Sequence, residues 1–310
     1  MAGITDQPFR NLCRELGAGH AVSEMISSDL SLVNTRKTRL RMNHNGESAP
    51  IHVQIAGSDP EQMARAAKFN VKHGAQIIDI NMGCPAKKVC NKLAGSSLLQ
   101  DEHLVQEILE AVVDSVDVPV TLKTRTGWSL DNRNAVKIGR IAEAAGIACL
   151  TLHGRTRNCF YSGEAEFETF IRLRDSVSIP LVANGDISGE CSAQWLLEEA
   201  GANAVMIGRA AQVRPWLPGN IAKYLSNATP ITEPNNNFRS EILLRLVRSL
   251  HEFYGPVAGT RMARKHIVSQ IEIFQPDRSS RQGILKSTEP HAQLELLEQF
   301  LNTAENQIAA

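Results

Sequence analysis

Seven short runs of β-branched and apolar residues, at 21–22, 51–55, 76–80, 120–123, 149–152, 181–183 and 204–207, alternate with helical patterns along this chain. Consecutive strands separated by helices must run parallel, because a chain that leaves a strand through a helix returns to the same edge. The helical patterns lie at 60–73, 104–116, 133–145, 167–176 and 188–200, and Gly74, Gly146 and Gly201 follow as closing residues. Repeats of about thirty residues fit an α/β fold of the (β/α)8 TIM barrel type. A doubly wound sheet fits less well, since no G-x-G-x-x-G follows any of these strands. The chain opens on Met1-Ala2-Gly3, which reads as the end of a strand-to-helix turn leading into a helix over 4–17. The first barrel strand is therefore expected to be missing at the N-terminus and to lie upstream of this start.

The composition of the whole chain supports one large domain and one small one. At 310 residues and 43% hydrophobic it can bury an extensive core. There is no N-terminal apolar leader and no apolar run near twenty residues, so a cytoplasmic protein without a membrane partner is expected. The six cysteines are scattered without a C-x-x-C pair, which argues against a metal site and against a disulfide framework. Net charge is +0, so a nucleic-acid partner would have to be held by local patches. After Tyr224 the turn formers and polar residues of 226–237 read as a linker. The expected division is a barrel over 1–228 and a small C-terminal helical domain over 238–310. Oligomeric state leaves no mark on the sequence.

Barrels of this type place chemistry at the C-terminal ends of their strands. Here those ends offer Ser23-Glu24, Gln54, Asn81 with Cys84, Lys123 with Arg125, His153 with Arg155, Asn184-Gly185-Asp186, and Gly208-Arg209. Gly185, Gly208 and Arg209 sit where many such barrels bind phosphate, with glycines that let backbone N–H groups approach an anion. Lys123, at the end of a central strand, needs an electronegative partner inside a barrel mouth. Flavin mononucleotide (FMN) supplies both anions, its phosphate against the last two strands and its electron-rich ring edge towards Lys123, with Gln54 on the pyrimidine side. Taken singly, Gln54, Asn184 and Asp186 also read as turn formers and caps. Cys84 follows an apolar strand and precedes Lys87, Lys88 and Lys92, a positive field suited to an anionic substrate. Alone, it reads equally well as a small buried apolar side chain.

Met1-Ala2-Gly3-Ile4-Thr5-Asp6, Val53-Gln54-Ile55-Ala56-Gly57, Asn81-Met82-Gly83-Cys84-Pro85, Lys123-Thr124-Arg125-Thr126-Gly127-Trp128 and His153-Gly154-Arg155-Thr156-Arg157 together resemble the tRNA-dihydrouridine synthases, most closely their bacterial B-type branch. The likeness runs along nearly the whole chain. It implies an oxidoreductase that holds FMN, takes reducing equivalents from NADPH and saturates the C5=C6 bond of a uridine in the tRNA D-loop. By position, the resemblance makes Cys84 the proton donor. It gives flavin contacts to Met1, Ala2, Gln54, Lys123, Asn184, Gly185, Asp186, Gly208 and Arg209, and places Asn81 and His153 beside the flavin and the target base; by chemistry, His153 or Arg155 could stabilise charge on the uracil carbonyl as hydride arrives. Members of this family usually carry a further strand before the residue matching Met1.

The chemistry is consistent with that assignment. The uracil C4 carbonyl polarises C5=C6, so C6 accepts hydride from reduced flavin while C5 needs a proton. A thiol with an ordinary pKa of about 8.5 is mostly protonated near neutrality and can supply it. A uridine in folded tRNA must leave its stack first, so a grip on RNA beyond the barrel is needed. Between Arg239 and Lys286 there are nine Arg or Lys against four Asp or Glu, and Arg261, Arg264 and Lys265 share a helical face. Arg36, Lys37, Arg39 and Arg41 form a second basic cluster, and Trp128 could stack on a base. Two alternatives come from other classes: a flavin barrel acting on a small pyrimidine, similar to dihydroorotate dehydrogenase, and a non-catalytic RNA-binding protein.

Overall fold

The computed structural model describes residues 1–309; residue 310, the end of the expected helical domain, lies outside the described residues. By contacts the chain divides into two units, one of Met1 with residues 19–208 and one of residues 2–18 with 209–310.

The first unit is built on a parallel sheet in which sequence neighbours are spatial neighbours: β1 (Ile26–Ser27), β2 (His52–Ala56), β3 (Ile77–Met82), β4 (Val120–Arg125), β5 (Cys149–His153), β6 (Leu181–Asn184) and β7 (Ala204–Met206). Helices α2 (Arg36–Arg41), α3 (Pro60–Lys72), α4 (Lys87–Cys90), α5 (Glu102–Val113), α6 (Ala135–Ala144), α7 (Glu168–Arg174) and α8 (Glu190–Glu198) form the connections. This is the alternation of a (β/α)8 barrel, with seven strands among the described residues and no pairing between β7 and β1. Its helices begin where side chains can stand in for missing partners: Asp59 accepts from the Gln62 N–H, and Asp101 from the Leu104 N–H. Gly74, Gly146 and Gly201 follow α3, α6 and α8 with φ of 99°, 86° and 70°, a left-handed turn that glycine adopts without strain.

The first strand lies later than the sequence suggests. Only an isolated bridge joins Val22 to His52, and the strand proper is Ile26–Ser27. Ser23 explains the interruption. Its hydroxyl accepts from the Gln54 N–H at 3.0 Å, taking the place of a backbone carbonyl, and the ladder resumes only at Ile26.

Strand alternation sorts the side chains into layers. Ile78, Ile80 and Met82 of β3 and Leu122 of β4 are fully buried. The alternate positions are polar, and the ladder sets them side by side: Gln54 against Asp79 against Thr121, then Asn81 against Lys123, then Arg125 against His153 against Asn184.

The second unit is helical: α1 (Gln7–Glu15), α9 (Arg209–Val213), α10 (Leu217–Asn227), α11 (Asn236–Tyr254), α12 (Pro256–Ile271), α13 (Arg278–Lys286) and α14 (Pro290–Ala309). The helix expected at 4–17 is α1, and its contacts group it with α10 and α11. Asp6 caps it through the Phe9 N–H and also accepts from the Tyr254 hydroxyl at 3.0 Å. Leu243, Leu246, Val247 and Leu250 are buried, as their spacing predicts. Gly259 lets α11 and α12 touch backbone to backbone, since a Cβ there would come within 2.6 Å of the His251 Cα. A fully buried Gln293 ties four helices together: it accepts from His251 and donates to the Thr260 and Ile284 carbonyls. The linker is anchored by Glu233, which pairs with both Arg214 and Arg239.

Candidate active site

The C-terminal ends of β3 to β6 converge on a polar cluster. Lys123, half-buried, donates to Asn184 Oδ1 at 3.1 Å, and Asn184 Nδ2 in turn donates to the Met206 carbonyl at 2.7 Å. The lysine thus links β4 to β6, and Asn184 links β6 to β7. Burial pulls the Lys123 pKa down to about 8, with Arg125 adding to the effect and Asp79 opposing it. An ammonium in such a place is stabilised by an electron-rich neighbour.

One layer deeper, Asp79 is buried between two donors. Thr121 Oγ1 donates to its Oδ1 at 2.5 Å and Gln54 Nε2 to its Oδ2 at 2.7 Å. Gln54 Oε1 accepts from Asn81 Nδ2 at 2.7 Å, and Asn81 Oδ1 accepts from the Gly83 and Cys84 N–H groups at 3.2 and 3.0 Å. Burial pushes Asp79 up to about 6, so it is ionised at neutral pH. Sequence reasoning missed Asp79, although a lone carboxylate between Ile78 and Ile80 is itself a signal.

Cys84 stands at the turn that Asn81 caps. Its thiol is half-buried, and burial raises its pKa more than the Ala86 N–H and Arg125 lower it. Lys87 and Lys88 are exposed and are not among the groups that set the thiol's pKa. The positive field expected from sequence is therefore outweighed by desolvation, and the side chain is a protonated thiol at neutral pH. Its carbonyl accepts from Ser96 at 2.9 Å, which holds the turn from the other side.

Arg125 is almost fully buried and ties together the loops after β3 and β5: its Nε donates to the Gly83 carbonyl, and its NH1 to the carbonyls of Thr156 and Phe160. His153 is buried beside it. Burial, then the cations Lys123, Arg125 and Arg155, lower its pKa to about 2, so it is a neutral imidazole. Arg155 pairs bidentately with Asp186 at 3.0 and 2.5 Å, and Asp186 also accepts from the Ala165 N–H at 2.8 Å. Both carboxylate oxygens of Asp186 are thus engaged by the protein, which fixes the turn after β6, where Gly185 has φ of 131°. Gly208 follows β7, and a Cβ there would meet only the Met1 sulfur, at 3.7 Å. Ala2 and Arg209 belong by contact to the helical unit.

The basic clusters are less uniform than the sequence suggests. Arg41 turns inward to Glu24 and the Met25 carbonyl, while Arg36, Lys37 and Arg39 are exposed. Arg264 donates to the Ser287 carbonyl at the end of α13, Arg245 pairs with Glu15, and Arg248 pairs with Glu298. Arg261, Lys265 and Arg278 remain exposed. Trp128 is half-buried, with the Arg157 guanidinium 4.5 Å from its ring centre. No helix among the described residues is long and apolar enough to cross a membrane.

Acid is expected to weaken the fold through these buried groups. The pKa values of His52, His153 and His266 are depressed to about 4, 2 and 4, so each is neutral when folded but binds a proton near pH 6.5 when unfolded. Their stabilising effect is present above pH 6.5 and is lost as the pH falls below it. Asp79 works oppositely below pH 6, but one group does not offset three. Unfolding in urea at pH 7.5 and pH 5 should show a loss of a few kcal/mol at the lower pH. Equal stability at the two values would contradict the buried neutral state.

Comparison with known proteins agrees with this architecture. A protein-family model described as "Dihydrouridine synthase (Dus)" matches residues 1–306. The chain is 52% identical over 311 residues to the tRNA-dihydrouridine synthase B of Pseudomonas aeruginosa, covering 99% of this chain and 92% of that protein. It is 52% identical to the protein of the same name from Proteus vulgaris, covering 97% and 93%. To that of Pseudomonas syringae pv. tomato it is 57% identical over 267 residues, covering 86% and 79%. With a match of this extent over a (β/α)8 scaffold, the chain belongs to the dihydrouridine synthase family.

Proposed function

We propose that this chain is a cytoplasmic, FMN-dependent tRNA-dihydrouridine synthase that uses NADPH to reduce the C5=C6 bond of D-loop uridines. The observation that carries the reading is Lys123, a half-buried cation held by Asn184 at the centre of the strand ends, with its pKa pulled down to about 8. It suits the electron-rich edge of a flavin ring, and the residues around it fit the rest of that group. Gln54 would face the pyrimidine side. Asn184, Gly185, Asp186, Gly208 and Arg209, with Met1 and Ala2, would hold the ribityl phosphate region, and the space beside Gly208 supports a close approach of backbone to an anion. Bound flavin supplies the hydride that saturates C6.

The chain's own residues do the remainder. Cys84 holds the proton required at C5, because burial keeps its thiol protonated. Asn81 fixes the turn that carries it. His153, neutral, offers a hydrogen bond rather than a charge to a uracil carbonyl. Arg155 sets the β6 turn through Asp186 in addition to any contact with substrate. In this reading residues 1–228 form the flavin-binding catalytic domain and 238–310 the tRNA-binding domain, where exposed Arg261, Lys265 and Arg278 would meet phosphates.

Titration of the protein with FMN, followed by anaerobic addition of NADPH, tests the cofactor assignment. The wild type should bind FMN and show bleaching of the flavin absorbance. Lys123→Met should bind it at least about tenfold more weakly, the loss of one charged hydrogen bond. Equal FMN affinity in the two proteins would remove the central observation. Salt-sensitive binding of tRNA is expected as well, and its absence would favour a small pyrimidine substrate.

A further inference from the structure

A continuous line of side-chain hydrogen bonds runs from the exposed His20 into the interior of the first unit. His20 Nε2 lies 2.7 Å from His52 Nδ1, and His52 Nε2 lies 3.0 Å from Thr121 Oγ1. From Thr121 the line passes to Asp79, Gln54 and Asn81, and ends on the Gly83 and Cys84 N–H groups. We propose that Asp79 is a positioning residue for the candidate active site: its carboxylate sets the donor and acceptor direction of this line and so fixes both Gln54 and the Cys84 turn. The inference rests on the roles proposed above for Gln54 and Cys84.

Hydrogen-bond polarity runs one way along the line. Every other side chain in the line can present either a donor or an acceptor, by rotating a hydroxyl, flipping an amide or changing a tautomer. An ionised carboxylate can only accept. Gln54 must therefore turn its NH₂ to Asp79, which leaves its oxygen facing Asn81. Asn81 must then give its NH₂ to Gln54, which points its own oxygen at the Gly83 and Cys84 N–H groups. On the other side Thr121 donates to Asp79, so its oxygen accepts from His52 Nε2–H, and His52 Nδ1 accepts from His20. The Asp79 carboxylate and the two backbone N–H donors of the Cys84 turn thus impose the same orientation on Gln54 and Asn81, and the carboxylate sets that of Thr121 and His52. A neutral amide at position 79 satisfies its neighbours in either direction, and in the reversed one Asn81 would oppose its NH₂ to the two backbone N–H groups. The turn that carries the thiol would lose its cap.

Asp79→Asn tests this in the full-length protein loaded with FMN. Cys149→Ala is the comparison, because Cys149 is paired with Thr121 in the same layer and takes no part in the line. Two quantities are read: the rate of Cys84 alkylation by iodoacetamide without tRNA, and kcat and KM for tRNA. Asp79→Asn should change the alkylation rate by about threefold or more and lower kcat by about tenfold or more with KM within about twofold. Cys149→Ala should stay within about twofold in all three. Wild-type alkylation and kcat in Asp79→Asn would overturn the proposal, as would an equal loss in Cys149→Ala. If the wild type makes no dihydrouridine, the functional reading fails, and the alkylation rates alone decide the positioning role. Should Asp79→Asn fail to fold, side-chain amide NMR of the wild type replaces it. Slowly exchanging NH₂ protons on Gln54 and Asn81 are expected, and freely rotating, rapidly exchanging ones would overturn the proposal.

Discussion

Cys84→Ala is expected to lower dihydrouridine formation by about two to four orders of magnitude, the usual contribution of a positioned general acid. FMN binding and NADPH-driven bleaching should be unchanged. The expectation follows from two features of the structure. Asn81 and Ser96 hold the turn from opposite sides, so the sulfur has a defined place. Burial keeps the thiol protonated, so the proton is available at neutral pH without a further donor. Alanine removes the proton and little else, because the capping bonds are made by the backbone. Cys84→Ser should recover less than a tenth of the activity, since a hydroxyl is the weaker acid by several pKa units. Product from Cys84→Ala at the wild-type rate, measured by mass spectrometry of digested tRNA, would exclude the thiol as the acid.

The largest effect on stability is expected at Asp186. Among the described residues its carboxylate is the countercharge paired with Arg155, whose side chain is 3% exposed, and it also accepts from the Ala165 N–H. Asp186→Ala leaves a buried guanidinium uncompensated, a change that costs about 3 kcal/mol at the lower end of the usual range, because the carboxylate itself is partly exposed. The backbone adds to this. Asp186 has φ of 48°, a left-handed conformation that aspartate tolerates better than alanine. Asp186→Asn should fall between the two, keeping the turn and one acceptor but not the charge. Denaturant midpoints measure the difference, and a loss under about 0.5 kcal/mol for Asp186→Ala would show that the pair contributes as little as a surface ion pair.

The strands were legible because a parallel barrel buries both faces of its sheet, and the runs from 51 to 183 are apolar enough to stand out. β1 was misplaced for a local reason, since Ser23 replaces a backbone acceptor and no composition rule reports that. The helical face of Leu243, Leu246, Val247 and Leu250 was readable from spacing alone. The arginines around it were not, because Arg245, Arg248 and Arg264 find partners far away in sequence, at Glu15, Glu298 and Ser287. The same holds inside the barrel. Gln54, Asn81, Lys123 and Asn184 were visible one by one at strand ends, but the bonds that join them depend on strand register. Asp79 was hidden for a different reason: attention falls on strand ends in such folds, and it lies two residues before Asn81, one layer down. Its alternation with Ile78 and Ile80 places it on the same interior face as Asn81.

Unmodified tRNA should be incubated with this chain, FMN and NADPH, and its nucleosides analysed by mass spectrometry for uridine heavier by two hydrogens. Dihydrouridine confined to the D-loop, formed only when both FMN and NADPH are present and lost in Cys84→Ala, is expected. Protein that binds FMN and consumes NADPH yet leaves every uridine of the tRNA unreduced would contradict the proposed function.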